Sequence, residues 1–148
     1  VHQVLKSVGA TAVCKTSGAT GMHICVPIEA KYDYETARKF AEAVCRQVHQ
    51  AMPKNTSLER SPARRRGRIY LDFMQNARGQ TLAAPYCVRP RPGATVSTPL
   101  AWKEVKSGLR PDQFTIKTIS ARLKKVGDLW QPLLEERVDL EKCLKKLE

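Results

Sequence analysis

One stretch constrains the fold more than any other: Asp33 to Met52. Its apolar residues Ala37, Phe40, Ala41, Val44 and Val48 recur at i, i+3 and i+4 steps, which places them on one face of an α-helix. Asp33 is suited to cap the N-terminus, and Pro53 stops the helix at its other end. Such a stripe is core material. Upstream, Ala12–Thr16 and His23–Pro27 are short β-prone runs joined by Ser17-Gly18-Ala19-Thr20-Gly21, a pattern that predicts a hairpin with a five-residue connection.

Downstream, Lys54 to Gly67 reads as a loop that ends in Arg64-Arg65-Arg66, and Ile69 to Phe73 as a strand. Ala83 to Arg91 is expected to be extended, with Pro85 and Pro90 restricting it to an irregular or edge position. Thr98-Pro99 signals a short helix over Trp102–Leu109. Further helices are expected over Thr118–Val126 and Leu129–Leu147. In the latter, Leu133, Leu140, Leu144 and Leu147 stand at near-heptad steps. The fold class is α/β, a mixed sheet with flanking helices, and no internal repeat is visible.

The charge is uneven. Between Arg60 and Lys125, fifteen Lys or Arg stand against three acids, Asp72, Glu104 and Asp112, and this window carries the whole formal net charge of +12. A neutral portion joined to a strongly basic one points to a polyanionic partner, nucleic acid first. The five cysteines form no CxxC pair and only three histidines accompany them, so neither a zinc site nor a disulfide framework is expected. Buried or half-buried thiols in a reducing cytoplasm are the simpler reading. Mean hydropathy is -0.41 and no apolar run approaches a membrane span. Val1, not Met, opens the chain, with no signal-like segment behind it; the expected setting is the interior of a longer cytoplasmic protein.

Three segments carry chemistry. In Lys15–His23 a glycine-containing turn lets backbone N–H groups approach an anion, with Ser17 and Lys15 beside it and His23 able to reach back over it. In Ile69–Asn76, strand alternation would put Tyr70 and Asp72 on one face. A mid-strand carboxylate among arginines calls for a divalent ion or an arginine partner, and the residues alone favour neither. In Ala84–Ala94, Arg89 and Arg91 are two apart on an extended segment. Two guanidiniums on one face suit a triphosphate or DNA phosphates; solvated edge charges are the alternative.

Taken together, and in this order, these segments resemble the polymerase domain of bacterial DNA ligase D, of the archaeo-eukaryotic primase superfamily. The likeness runs from about Val4 to Leu134. It includes Thr98-Pro99-Leu100-Ala101-Trp102 and the stretches Phe114-Thr115-Ile116 and Gly127-Asp128-Leu129-Trp130. The resemblance implies a primase-type, RRM-like catalytic fold. Ser17 and His23 would contact nucleotide phosphates. Asp72 would be a catalytic ligand of Mn2+ or Mg2+, Gln75, Arg89 and Arg91 would line the triphosphate and template side, and Arg64, Arg65 and Arg66 would engage DNA. Cys87 stands where the family usually shows Ser.

The family also carries an Asp-x-Asp pair upstream of its Ser/His motif, and no acid precedes Lys15. The expectation is therefore that residues 1–148 form a single, incomplete domain, the C-terminal part of the family's catalytic domain. It would hold metal weakly and be inactive alone. The implied function is templated nucleotide addition at DNA ends during non-homologous end joining, in the bacterial nucleoid. The implied partners are DNA ends, nucleoside triphosphates, a Ku-type end-binding protein and ligase or nuclease modules. A non-enzymatic nucleic-acid-binding or regulatory module derived from that domain is the alternative.

Overall fold

The computed structural model describes residues 1–147. In chain order its elements are α1 (His2–Ser7), β1 (Val13–Thr16), β2 (Met22–Cys25), α2 (Tyr34–Ala51), β3 (Thr56–Ser57), α3 (Pro62–Arg65), β4 (Ile69–Tyr70), β5 (Pro99–Leu100), α4 (Ile119–Val126), α5 (Pro132–Glu135) and α6 (Leu140–Lys145). Single-turn 3-10 helices lie at Trp102–Glu104 and Pro111–Gln113. The fold is mixed α/β, with a small sheet and flanking helices, as the patterning predicts. The chain divides into two compact units, one of Val1–Ala10, Ile28–Thr81 and the stretch from Val138 onward, the other of Thr11–Pro27 and Leu82–Arg137.

In the first unit α2 is the organising element. Asp33 caps it by accepting a 2.8 Å hydrogen bond from Thr36 N. Phe40, Val44 and Val48 are its buried residues, and α1 and α6 cover it with Leu5, Leu140 and Cys143. Beyond Met52 the chain turns and forms β3, which pairs in parallel with β4. Where a loop is expected over 54–67 there are thus two short elements, β3 and α3. Ser61-Pro62 starts α3, with proline in its first turn.

The expected strand over Ile69–Phe73 stops after Tyr70. Asp72 lies beyond it and its Oδ1 accepts from Met74 N at 3.0 Å, a local turn that competes with continued pairing. The long terminal helix is also divided. Val138 leaves the helical path to bridge Ile28 in parallel, and Asp139 then caps α6 by accepting from Lys142 N at 3.2 Å. Of the near-heptad leucines, Leu133 therefore lies in α5, Leu140 and Leu144 in α6, and Leu147 beyond it.

In the second unit β1 is the middle of a three-stranded antiparallel sheet, ordered β2-β1-β5. The hairpin falls where the sequence puts it. All four residues of β1 are buried, Lys15 among them. Thr98-Pro99 starts no helix. Pro99 lies in edge strand β5, where its missing N–H costs the sheet nothing. The predicted helix after Trp102 is reduced to one 3-10 turn, held by Glu104, whose carboxylate accepts from Ala101 N at 2.8 Å. Helix α4 matches its prediction. The segment over Ala83–Arg91 is not a strand: Tyr86 has φ 63°, and only Val88 bridges, to Val96. Arg91 N donates to Arg89 O at 2.8 Å, so the backbone bends between the two arginines. Strand alternation no longer puts their side chains on one face.

Candidate functional site

The β1–β2 turn is built around two residues. Ser17 N donates to Gly21 O at 2.8 Å, and Ser17 Oγ accepts from Ala19 N and Gly21 N, each at 3.1 Å. Both acceptor positions of that hydroxyl are used, which leaves its O–H as a donor for an incoming anion. Gly18 sits at φ 67°, and its carbonyl accepts from Thr95 Oγ1 at 2.5 Å. The side chain of Arg89 lies against Gly18, so the arginine and the turn are packed together. Arg89 is half-buried and Arg91 is exposed.

Beneath the turn lies a residue whose importance composition does not reveal. Lys15, with 0% of its surface exposed, faces His23 across the hairpin register. Its Nζ is 2.6 Å from Ala83 O, 2.7 Å from Ser97 Oγ and 2.9 Å from His23 Nδ1. Ser97 Oγ in turn donates to Thr16 O at 2.8 Å. The Trp130 ring lies 5.9 Å from the ammonium, within cation–π range. Asp128 anchors that end of the site by accepting from Tyr86 Oη at 2.6 Å and Trp130 N at 2.9 Å. Burial lowers the Lys15 pKa. Burial, then the positive charges of Lys15 and Arg89, push His23 down to about 4. The imidazole is thus neutral at physiological pH, in the field of two cations.

This has a consequence for stability. An unfolded histidine titrates near 6.5. His23 resists protonation when folded, so its contribution is complete above about pH 6.5 and is lost as pH falls from there toward 4. Urea midpoints measured from pH 7 to pH 4.5 should fall more steeply for the native chain than for His23→Gln, and equal slopes would refute the assignment.

The remaining candidate residues belong to the first unit. Asp72 is exposed, and Gln75 is half-buried with its Nε2 donating to Thr81 O at 2.7 Å. Burial and the neighbouring Asp72 raise the Tyr70 pKa. Arg64 and Arg66 are exposed, and Arg66 holds a left-handed conformation at φ 51°. Arg65 is bound within its own loop. Its Nε donates to Glu59 O at 2.9 Å, its Nη2 to Arg60 O, and its guanidinium stacks 4.0 Å from the Tyr70 ring centroid. Sequence reasoning overlooked the roles of Ser97, Trp130 and the Ala83 carbonyl, all brought to Lys15 from far along the chain.

A family model, that of the LigD primase-polymerase domain, matches residues 1–130. The chain belongs to the LigD primase-polymerase family. Its relatives include the bifunctional non-homologous end joining protein LigD of Bacillus subtilis, 36% identical over 128 residues that cover 86% of this chain and 21% of the relative. The multifunctional LigD of Pseudomonas aeruginosa is 33% identical over 129 residues, covering 86% of this chain and 15% of that protein. The solved polymerase domain from Mycobacterium tuberculosis Ligase D, in complex with DNA, superposes with a TM-score of 0.83 at 28% identity, over 92% of this chain and 47% of that one. The chain therefore spans about half the length of that solved domain and about a fifth or less of the full-length LigD proteins.

The LigD polymerase family is generally metal-dependent. Among the described residues no group of three or more His, Cys, Asp or Glu could hold a metal ion. The described residues thus do not fit the carboxylate set that two-metal phosphoryl transfer needs. Among the described residues, too, no helix is long and apolar enough to cross a membrane.

Proposed function

We propose that this chain is the nucleotide- and DNA-binding part of a LigD-type polymerase that adds templated nucleotides at broken DNA ends in non-homologous end joining. What supports this reading is the hairpin turn of a LigD-family chain, which carries a serine O–H and a neutral histidine and has the half-buried Arg89 packed against its Gly18. Ser17, His23 and Arg89 bind the phosphates of the incoming nucleoside triphosphate, with Arg91 contributing at its triphosphate and template side. Asp72 is the carboxylate this stretch offers to a divalent ion, Mn2+ or Mg2+. Arg64 and Arg66 meet DNA phosphates, and Arg65 shapes the loop that presents them. In the cell the partners are DNA ends, a Ku-type protein and ligase or nuclease modules, at the nucleoid. The family match and the basic window support this reading over a non-enzymatic module.

Two titrations test it. DNA affinity measured across a salt series should fall steeply, because each phosphate neutralised adds about 0.9 to the log–log slope. Arg64→Ala with Arg66→Ala should flatten that slope by roughly 2, and a slope unchanged by the pair would remove these arginines from the interface. In a nucleoside triphosphate titration, His23→Ala and Arg89→Ala should each weaken binding about tenfold or more, in keeping with the loss of one charge-assisted contact. Lys145→Ala and Lys146→Ala should do almost nothing. Equal losses in both groups would reveal nonspecific charge attraction instead.

A further inference from the structure

We propose that Lys15 is a positioning residue that holds His23 as the neutral tautomer protonated on Nε2, by donating from its buried ammonium to His23 Nδ1. The inference rests on the reading that His23 meets nucleotide phosphates, and it says how His23 is prepared to do so. An ammonium has three N–H donors and no acceptor. Lys15 Nζ has three partners at hydrogen-bond distance: Ala83 O, Ser97 Oγ and His23 Nδ1. Ala83 O can only accept. Ser97 Oγ gives its proton to Thr16 O, so it also accepts from the lysine. At 2.6 and 2.7 Å these two oxygens take two of the three N–H bonds. The third N–H is then directed to Nδ1, whose lone pair must be free, and the single proton of the neutral ring sits on Nε2.

The groups facing this pair are few. Arg89 adds positive charge beside His23, and the thiols of Cys25 and Cys87 lie near the lysine. Asp128 is engaged with Tyr86 and Trp130. Neither neighbouring cation favours an imidazolium. A neutral Nε2–H donates to a phosphate oxygen without bringing a charge that titrates near neutrality. The device makes the donor's presence independent of pH across the physiological range. Without Lys15, either ring nitrogen can carry the proton, and the ring titrates closer to its ordinary value.

The direct test is nitrogen-15 NMR of the histidine side chains in the native chain between pH 5.5 and 8. The expected result is a single His23 species throughout, with Nε2 protonated and Nδ1 bare. A ring protonated on Nδ1, or charged near neutrality, would overturn the proposal, and this measurement needs no variant. The second arm is Lys15→Met. If it folds, His23 should show mixed tautomers and a raised pKa. Triphosphate affinity should then fall about twofold at pH 8, as half-populated Nε2–H implies, and recover at pH 5.5, where an imidazolium again supplies Nε2–H. A folded Lys15→Met chain with His23 unchanged, or with an equal loss at both pH values, would reduce Lys15 to a structural role and refute the inference. Failure of the underlying phosphate reading looks different: the native tautomer signature persists while His23→Ala binds triphosphate normally.

Discussion

Gly18→Ala is expected to destabilise the protein by about 3 kcal/mol or more, well beyond the ~1 kcal/mol of an ordinary left-handed glycine. Two costs combine. At φ 67° an alanine is strained by its own backbone. Its Cβ would also lie 2.6 Å from Arg89 Cγ, 2.9 Å from Ser97 N and 3.1 Å from Val96 C. The arginine side chain can move, but Ser97 N is tied to Cys87 O at 2.9 Å, so that backbone yields only by breaking pairing. Gly108 is the control. Its φ is also positive, at 85°, but a Cβ there meets nothing within 4 Å. Denaturant unfolding of both variants should separate the clash from the positive-φ strain. Similar losses at Gly18 and Gly108 would show that the turn is not packed against Arg89 and Ser97. Displacing Arg89 should also weaken triphosphate binding, an effect Gly108→Ala should not share.

Arg122→Ala should cost about 3 kcal/mol, the scale of breaking a partly buried ion pair by removing one partner. Arg122 and Glu104 have side chains only 16% and 29% exposed. The guanidinium gives the carboxylate two hydrogen bonds of 2.7 Å, reaches Pro99 O at 3.1 Å and lies 5.1 Å from the Phe114 ring centroid. Removing it strands Glu104, which also holds the Ala101 N–H. By contrast, Arg46→Ala breaks an exposed helical pair and should cost well under 1 kcal/mol. The pH dependence has a definite sign. Arg122 holds the Glu104 carboxyl below its ordinary value near 4.3, so the pair's contribution is full above that pH and is lost as acid drives pH through the lowered folded value. The gap between native and Arg122→Ala unfolding midpoints should therefore narrow toward pH 3. A gap as small as that of Arg46→Ala at pH 7 would count against the pair.

The local elements were legible where one rule governs them. The apolar stripe of α2 and its Asp33 cap required nothing distant. The hairpin was readable too, and its five-residue connection already sets Lys15 opposite His23. What could not be read was that all of β1 would be buried, so a lysine expected beside an anion-binding turn became a buried hub. Its remaining partners, Ala83, Ser97 and Trp130, lie far along the chain, and no local pattern announces them. The divided terminal helix is a similar case. The leucine spacing favours continuity, but Val138 finds Ile28, more than a hundred residues away, and that pairing prevails. Arg65 and Asp72 show the opposite limit. Charge and residue type marked them as candidates, yet local hydrogen bonds set their geometry, an Asx turn at Asp72 and a carbonyl-bound, Tyr70-stacked guanidinium at Arg65.

The central claim is that triphosphate is held at the β1–β2 turn. Backbone amide shift mapping during titration with a nucleoside triphosphate tests it most directly, with no mutation and no dependence on catalysis. The account predicts that the largest, saturable changes fall on Ser17 to His23 and on Arg89, and that His23 Nε2–H shifts with them. Changes confined to the terminal lysines, Lys142, Lys145 and Lys146, or spread evenly over the basic window without saturation, would contradict it.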